Sequence, residues 1–202
     1  MVPPIPAIDP LLLEHSVDQR VILRNVDWSD YESALAMRGE KSSVRIAYLE
    51  GVLELMSPSR DHETVKKKLA RLVEAYSEEL DIPLEGYGSW TLKREEEERG
   101  AEPDECYSIG PAGEVPDLAI EVIWTSGGLD KLEIYRRLGV REVWVWRRAE
   151  IAVFALRGDR YEPIAKSEIL PQIDLGLIRS LLDEPTQLAA VRELRSRLRN
   201  RA

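Results

Sequence analysis

Two short acidic runs carry the residue types that could do chemistry. Asp104 closes the run EPD at 102–104, and Glu121 closes the run PDLAIE at 116–121. The surrounding apolar residues predict strands at 105–109 and 118–123. A hairpin that turns symmetrically between Ala112 and Gly113 places Asp104 opposite Glu121, with Cβ atoms about 4.5–5.5 Å apart. Two carboxylates this close either repel each other or share one hard divalent cation, so the spacing permits a metal site.

Asp117 and Lys131 are further charged candidates near this pair. Asp117 shares a strand face with Glu121, but four residues at about 3.3 Å each put it roughly 13 Å away, too far to share one ion without a bend. Lys131 follows the loop after the second strand, and the next helix could point it back over the strand's end. Its ammonium could hold a phosphate or lower the pKa of an attacking water. The pattern permits metal-dependent phosphodiester hydrolysis.

The same residues also have ordinary structural interpretations. Pro-Asp is a frequent turn opener, Glu121 could be an outward strand residue, and Lys131 could be a charge at a helix start. A one-residue slip of the hairpin register would send Glu121 to the other face of the sheet. Spacing alone leaves both interpretations open.

Hydrophobic periodicity predicts the elements in the first half of the chain. Between residues 60 and 80 apolar side chains recur at steps of three and four, which predicts an amphipathic helix. Upstream, a helix is predicted with Ser29 as its N-cap and Gly39 as its stop. Strands at 44–49 and 52–56 flank a tight turn at Glu50-Gly51. A strand is predicted at 84–92, and the acidic run 95–98 is expected to be solvated.

The second half of the chain predicts a strand-helix-strand unit. The helix covers 129–138 and ends at Gly139, and a strand at 140–146 pairs in parallel with 118–123. A hairpin at 151–156 and 160–165 and two helices at 174–182 and 187–198 follow. The sum is an α/β (α+β) fold, in which a mixed β-sheet is flanked by helices.

Length and composition define the organisation. The 202 residues favour one domain, with 1–20 a flexible N-terminal arm and 21–202 a single domain that ends in helices. No apolar stretch approaches the roughly 20 residues that span a bilayer, so no membrane association is expected. Cys106 is the only cysteine, which excludes an internal disulfide and suits a reducing cytoplasm. The net charge of −9 repels polyanions and leaves nucleic acid only local basic surfaces.

Several motifs together resemble a known family. Their order and spacing over roughly residues 25–170 resemble the Uma-type restriction endonucleases, a branch of the PD-(D/E)XK nuclease superfamily. The motifs are LEG at 49–51, MSPS at 56–59 with His62, EPDE at 102–105, PDLAIEV at 116–122, Lys131 with Tyr135, LGV at 138–140 and EVW at 142–144. The resemblance implies a restriction-endonuclease-like core of four mixed strands with flanking helices.

The resemblance also implies roles for individual residues. Asp104 and Glu121 match the two metal-binding acids and would hold Mg²⁺ or Mn²⁺. Ile123 stands where the superfamily usually has a lysine, so Lys131 matches a lysine supplied by the following helix, which would orient or activate water. If Lys131 points away, the site would bind metal without cleaving, and Asp117 could replace Asp104 as a ligand.

Other residues are weaker candidates. His62 could contact phosphate or a water near the metal, or it could be an ordinary helix-cap group. Glu50, beside a turn glycine, could reach the site or remain a loop carboxylate. The tryptophans are interpreted as core or interface residues rather than platforms for base stacking. They are Trp90, Trp124, Trp144 and Trp146.

The sequence leads to functional hypotheses from different classes. The first is a Mg²⁺-dependent endonuclease acting on DNA, expected to be a homodimer because double-strand cleavage needs two sites. The second is a nuclease-fold module that no longer cuts and binds nucleic acid or protein, which the acidic net charge and Ile123 favour. A nuclease acting on RNA is a third hypothesis, because one sequence identifies no reader of the 2′-hydroxyl.

Overall fold

The computed structural model describes residues 17–39, 43–111, 113–125 and 127–200. The strands in these ranges are β1 (Gln19–Arg24), β2 (Arg45–Leu49), β3 (Val52–Ser57), β4 (Leu84–Gly86), β5 (Leu92–Arg94), β6 (Arg99–Ala101), β7 (Glu105–Ile109), β8 (Leu118–Ile123), β9 (Glu142–Arg147), β10 (Glu150–Arg157) and β11 (Arg160–Ile164). The α-helices are α1 (Trp28–Arg38), α2 (Arg60–Glu79), α3 (Lys131–Leu138), α4 (Leu175–Leu181) and α5 (Gln187–Arg199). A short 3-10 helix, Glu95–Glu97, carries the acidic run.

Within the described ranges the strands form two sheets. One is antiparallel in the order β1-β3-β2-β6-β5, and the other is mixed in the order β11-β10-β9-β8-β7-β4. In the mixed sheet β8 and β9 are parallel and are joined through α3, as the strand-helix-strand pattern predicts. The predicted α/β (α+β) class, a mixed sheet with flanking helices, is therefore confirmed. The sequence did not predict that part of the chain forms a second, antiparallel sheet.

The β7–β8 hairpin has the predicted register. Glu105 pairs with Ile120 and Cys106 with Ala119, the alignment of a turn centred between positions 112 and 113. Ala112 itself lies outside the described residues. Because side chains alternate between the two faces of a strand, this alignment fixes which residues of β7 and β8 point toward the same side.

Helix α2 packs the core and delivers a polar side chain at its start. Leu69, Leu72 and Val73 are buried in the main hydrophobic cluster, as the periodicity predicts. Full burial of such an apolar side chain contributes about 1.5–3 kcal/mol. Ser59 is the N-cap, and its hydroxyl accepts a hydrogen bond from the backbone N–H of His62. The N-cap therefore fixes the position of His62 in the first turn of α2, while the apolar face of the later turns packs in the core.

Two predicted local features differ in the structure. The predicted strand at 84–92 is divided, because β4 pairs with β7 in the mixed sheet whereas β5 pairs with β6 in the antiparallel sheet. The chain leaves the mixed sheet and enters the antiparallel sheet within this segment, so its residues do not follow one strand-like alternation. Asp27, rather than Ser29, caps α1, since its carboxylate accepts the backbone N–H of Asp30 while the Asp30 carboxylate accepts that of Asp27.

Strand β1 begins inside the segment predicted to be a flexible arm. Residues 1–16 of that arm lie outside the described residues, but Gln19 and Arg20 pair with Ser57 and Met56 of β3. The antiparallel sheet therefore starts before the predicted boundary at residue 21. No helix in the described part of the chain is long and apolar enough to span a membrane.

Candidate active site

The β7–β8 hairpin brings Asp104 and Glu121 to neighbouring positions. Asp104 directly precedes β7 and is almost fully buried, and its Oδ2 accepts the backbone N–H of Val122 at 2.8 Å. Glu121 lies one residue earlier on β8 and is also buried. The register that the sequence predicts thus places the two acids side by side at the start of one strand and the middle of the next.

His62 joins Asp104 to a second buried carboxylate. Its Nε2 lies 2.9 Å from Asp104 Oδ1, and its Nδ1 lies 3.2 Å from Asp18 Oδ2. Burial alone would lower the pKa of His62, but hydrogen bonds to these two carboxylates outweigh burial and raise the pKa to about 9. At neutral pH the ring is therefore an imidazolium that donates a hydrogen bond to each acid.

The two carboxylates beside His62 stay ionised although they are buried. Burial raises the pKa of Asp18, but hydrogen bonds from His62 and from the backbone N–H of Ser59 lower it to about 2. Burial acts on Asp104 in the same direction, and the hydrogen bond and charge of His62 together with the N–H of Val122 bring its pKa below the ordinary value. Asp18, His62 and Asp104 therefore form a charged chain with one net negative charge.

Glu121 has a different environment. Burial raises its pKa to about 7, and the negative charge of Asp104 adds to this effect, while the Lys131 ammonium and a hydrogen bond from Tyr135 oppose it. Tyr135 Oη donates to Glu121 Oε1, and Lys131 Nζ lies 3.8 Å from the same oxygen. Lys131 is the first residue of α3, which Asp130 caps. After the loop that follows β8, the chain therefore turns back so that the Lys131 ammonium lies beside Glu121 of that strand.

A cavity of about 270 Å³ opens beside Glu121 and Lys131. Residues of β1, β3 and the β8–α3 loop complete its wall, among them Arg20 and Glu54. Glu54 is buried, and its Oε2 accepts the backbone N–H of Leu129 at 2.8 Å. Within the described ranges, the carboxylates that line this cavity are Glu54 and Glu121. The cavity combines two acids with three cations, Arg20, Lys131 and Arg147, a set suited to a phosphate and a divalent metal ion.

Arg20 connects the cavity wall to the loop that carries Lys131. Its Nη1 donates to the backbone oxygen and to the hydroxyl of Thr125, each at 2.9 Å. Its Nε lies 3.8 Å from Glu54 Oε1, and its Nη2 lies 3.6 Å from Asp18 Oδ2. Arg20 therefore offsets the charge of two buried carboxylates while its own side chain borders the cavity.

Of the predicted residues, Glu121 and Lys131 line this cavity, whereas Asp104 and the fully buried His62 do not. Glu50 and Asp117 lie elsewhere in the structure. Glu50 is exposed at the turn between β2 and β3, where it forms an ion pair with Arg99 at 2.8 Å. Asp117 lies beyond the other end of β8, where it accepts the N–H of Ile109 and pairs with Arg141 at 2.9 Å. Asp117 precedes the first residue of β8, whereas Glu121 lies within that strand.

Sequence reasoning missed Asp18, Arg20 and Glu54. Glu54 had a local signal, because it occupies an alternate position between apolar residues of β3, where an inward-facing carboxylate requires a partner. Asp18 and Arg20 had none. Asp18 meets His62 across 44 residues of sequence, and Arg20 meets Thr125 across 105. Contacts between residues this far apart in sequence cannot be predicted from local hydrophobic periodicity.

The donor set suits a hard divalent cation such as Mg²⁺. Each oxygen of Asp104 accepts one hydrogen bond and so retains a lone pair, and Glu121 is a buried carboxylate whose pKa a bound cation would lower. No group of three or more potential metal-binding side chains occurs in the described parts of the chain. Mg²⁺ does not need such a cage, since it commonly takes one or two carboxylates and fills its shell with water and substrate phosphate.

The chain is similar to one protein family and to a solved structure. A family model described as "Putative restriction endonuclease" (Uma2) matches residues 28–180, well over half of the chain. Among solved structures, that of a putative nuclease belonging to DUF820 from Anabaena variabilis is 12% identical, with a TM-score of 0.46, over 79% of this chain and 96% of that chain. No curated protein matches the sequence.

Proposed function

The chain belongs to the Uma2 family of restriction endonucleases, and on that premise we propose that it hydrolyses DNA phosphodiester bonds with the help of a divalent metal ion. One observation carries the proposal beyond the family: the Lys131 ammonium lies 3.8 Å from Glu121, beside the buried Asp104 and at the wall of an open cavity. A cation, a metal-binding carboxylate and room for substrate are the parts that phosphodiester hydrolysis needs.

The carboxylates of Asp104 and Glu121 would hold Mg²⁺ or Mn²⁺, and Glu54 is a second carboxylate, besides Glu121, in the wall of the cavity. When bound, the ion would supply Lewis-acid stabilisation of the phosphate and lower the pKa of the attacking water. His62 keeps Asp104 ionised and fixes its orientation through the 2.9 Å hydrogen bond. Tyr135 fixes the orientation of Glu121 by donating a hydrogen bond to its Oε1.

Lys131 and Arg20 are the cationic side chains that would bind the substrate phosphate. Lys131 reaches the cavity from the first turn of α3, so its ammonium can bind a non-bridging phosphate oxygen and orient the water that attacks in line. Arg20 borders the same cavity and is fixed by Thr125, so it offers a second positive charge without a large loss of side-chain entropy on binding. Both groups stabilise the charge that accumulates on the phosphate in the transition state.

Plasmid nicking in Mg²⁺ or Mn²⁺ tests this function. We expect wild-type protein to nick DNA, and Asp104→Asn and Lys131→Met to lower the rate at least roughly hundredfold, as the loss of one preorganised charge typically does. Asp117→Asn is the matched control, because it changes a carboxylate of the same hairpin that lies away from the cavity. Thermal melts establish that each variant folds. Nicking by Asp104→Asn at the wild-type rate would refute the assignment.

A non-cleaving nuclease-fold module remains the second candidate, because Ile123 stands at the usual position of the lysine. Calorimetric titration with Mn²⁺ separates the two. The nuclease requires metal binding that Asp104→Asn abolishes and Asp117→Asn retains, whereas a protein that binds no metal and cuts neither DNA nor RNA is such a module. Parallel assays on labelled RNA of the same sequence distinguish the two nucleic acids.

The assembly and location of the protein are part of the same proposal. Cleavage of both strands of a duplex needs two sites, so we expect a homodimer, which sedimentation equilibrium measures directly. A sedimenting species of one chain mass that still cuts both strands would exclude this arrangement. We also place the protein in the cytoplasm, where the thiol of Cys106, buried in β7, remains reduced.

A further inference from the structure

An aromatic surface continues from the candidate active site. Trp124, in the loop after β8, stacks on Trp146 of β9 with ring centroids 5.6 Å apart and an interplanar angle of 5°. Trp146 is buried, whereas Trp124 is 37% exposed. Of the tryptophans expected to be core or interface residues, Trp144 is fully buried in the core, whereas Trp124 is partly exposed. An exposed indole supported by a second indole is a rigid platform for a planar ligand.

The space around this platform is large enough for a nucleobase. A hollow of about 460 Å³ is lined by both indoles, by the apolar side chains of Val65 and Leu182 and by Arg148. Hollows of this volume and mainly apolar lining are typical of small-molecule sites. Its wall is made of residues from α2, β9 and α4, together with the loop after β8, the β9–β10 turn and the residues Leu182 and Asp183 that follow α4.

The platform is continuous with the cavity that holds Lys131. A smaller recess of about 310 Å³ lies between them, lined by Ile123, Trp124, Thr125, Arg147 and Arg148. Thr125 and Arg147 also line the candidate active-site cavity. A nucleic-acid strand with one phosphate in the cavity can therefore extend along this recess to the exposed indole of Trp124.

Arg147 and Arg148 give this path its charge. Among the described residues neither guanidinium makes a hydrogen bond or an ion pair. Such groups are suited to phosphate oxygens, which planar guanidinium forks bind in a bidentate manner. The protein has a net charge of −9, so two arginines without a carboxylate partner beside an aromatic platform point to an anionic ligand with a planar part.

The backbone at Arg148 is held in a costly conformation. Arg148 and Ala149 form a two-residue turn between β9 and β10, and both have positive φ values, of 51° and 59°. Such turns favour Asn-Gly, because residues with a Cβ are disfavoured there. Arg179 supports the turn, since its Nε donates to the Ala149 oxygen at 2.6 Å. Strain retained in this way is common where a side chain must be positioned for binding.

From these contacts we propose that Trp124 stacks on an unpaired base of the DNA substrate, next to the phosphate in the active-site cavity, while Arg147 and Arg148 bind the flanking phosphates. This inference rests on the proposed nuclease function and specifies its preferred substrate as DNA that carries a single-stranded segment beside the cleaved bond. A fully paired duplex keeps its bases inside the stack and cannot reach the indole without unpairing.

Equilibrium binding without cleavage tests the proposal. Fluorescence anisotropy in Ca²⁺ compares a blunt duplex with the same duplex carrying a single-stranded extension. We expect wild-type protein to bind the extended duplex roughly tenfold more tightly, as stacking of one base on an aromatic side chain provides. Trp124→Ala should abolish this preference and leave blunt-duplex affinity unchanged, and Trp124→Phe should retain most of it. Tyr87→Ala, which removes a similarly exposed aromatic at 39% exposure, is the matched control.

The outcomes separate this inference from the nuclease function. Equal wild-type affinity for the two duplexes, no binding to either, or an equal loss for both in Trp124→Ala would overturn the stacking role. Cleavage of each duplex in Mg²⁺ is measured in parallel. If the protein cleaves DNA but Trp124 gives no preference for the extended duplex, the nuclease function is supported and the stacking role is refuted. If the protein shows the Trp124-dependent preference but cleaves neither duplex, the stacking role is supported and the nuclease function is refuted. Melting curves of the variants confirm that each protein is folded.

Discussion

At Gly128 the absence of a side chain gives the Glu54 carboxylate its place in the cavity wall. A Cβ at this position would lie 2.7 Å from Glu54 Oε2 and 3.3 Å from Arg20 Nε. We expect Gly128→Ala to lower the nuclease rate roughly ten- to hundredfold, the effect of a small displacement near reacting groups, with a small change in melting temperature because the end of a flexible side chain can move. Gly113→Ala is the control, since its Cβ would meet nothing closer than 3.9 Å. Equal rates for both variants would contradict this role.

Cys106 gives a second prediction for a single residue. Burial raises the pKa of its thiol to about 12, and its Sγ donates to the Gly88 oxygen at 3.2 Å. An ordinary thiol reacts faster with iodoacetamide as pH rises toward its pKa of roughly 8.5, because the thiolate is the nucleophile. We expect Cys106 in the folded protein to show almost no alkylation between pH 7 and 9, whereas the unfolded chain reacts fully. Mass spectrometry measures both, and rapid labelling of the native protein would show that the thiol is accessible.

Between elements, Glu142 ties the start of β9 to the segment before α4. This buried carboxylate accepts hydrogen bonds from Trp144 Nε1 at 2.6 Å, Ser167 Oγ at 2.5 Å, and the backbone N–H groups of Glu168 and Ile169. Glu142→Ala leaves these donors without an acceptor in the interior, so we expect a loss of about 3–5 kcal/mol in unfolding free energy.

Urea unfolding of this variant beside Glu162→Ala provides the comparison. Glu162 pairs with Arg160 on the exposed hairpin β10–β11, and an exposed pair of this kind contributes roughly 0–1 kcal/mol. Similar midpoints for the two variants would mean that the hydrogen bonds of Glu142 contribute no more than a surface ion pair.

Elements whose contacts are local were predictable from the sequence. The stripe of α2 and the register of β7 with β8 follow from neighbouring residues, and these two elements place His62, Asp104 and Glu121. The remainder of the site depends on β1 and β3, strands that pair although they are distant in sequence, as Gln19 pairs with Ser57. Asp18 and Arg20 reach the site only through that pairing, so no local pattern could reveal them. Lys131 could be predicted to lie near Glu121 because α3 is the next element of the chain after β8.

On the scale of the whole molecule, charge is segregated. The net charge of −9 opposes DNA at a distance, but the path from the cavity to the platform carries Arg147 and Arg148, next to Arg20 and Lys131, which lie close to buried carboxylates. Many other arginines of the described chain are neutralised by nearby carboxylates, as Arg136 is by Glu133. DNA binding should therefore depend on a few local contacts rather than on the overall field.

The salt dependence of DNA binding measures how many such contacts form. Three phosphates bound by Lys131, Arg147 and Arg148 predict a slope of log K against log salt of about −3 for duplex DNA, since each contributes about −0.9. We expect Arg147→Ala to bring the slope about one unit closer to zero, and Arg160→Ala, whose guanidinium already pairs with Glu162, to leave it unchanged. Anisotropy titrations over a range of KCl concentrations give these slopes. A slope that Arg160→Ala changes as much as Arg147→Ala would mean that binding follows total charge, and the path beside the cavity would then not be where DNA lies.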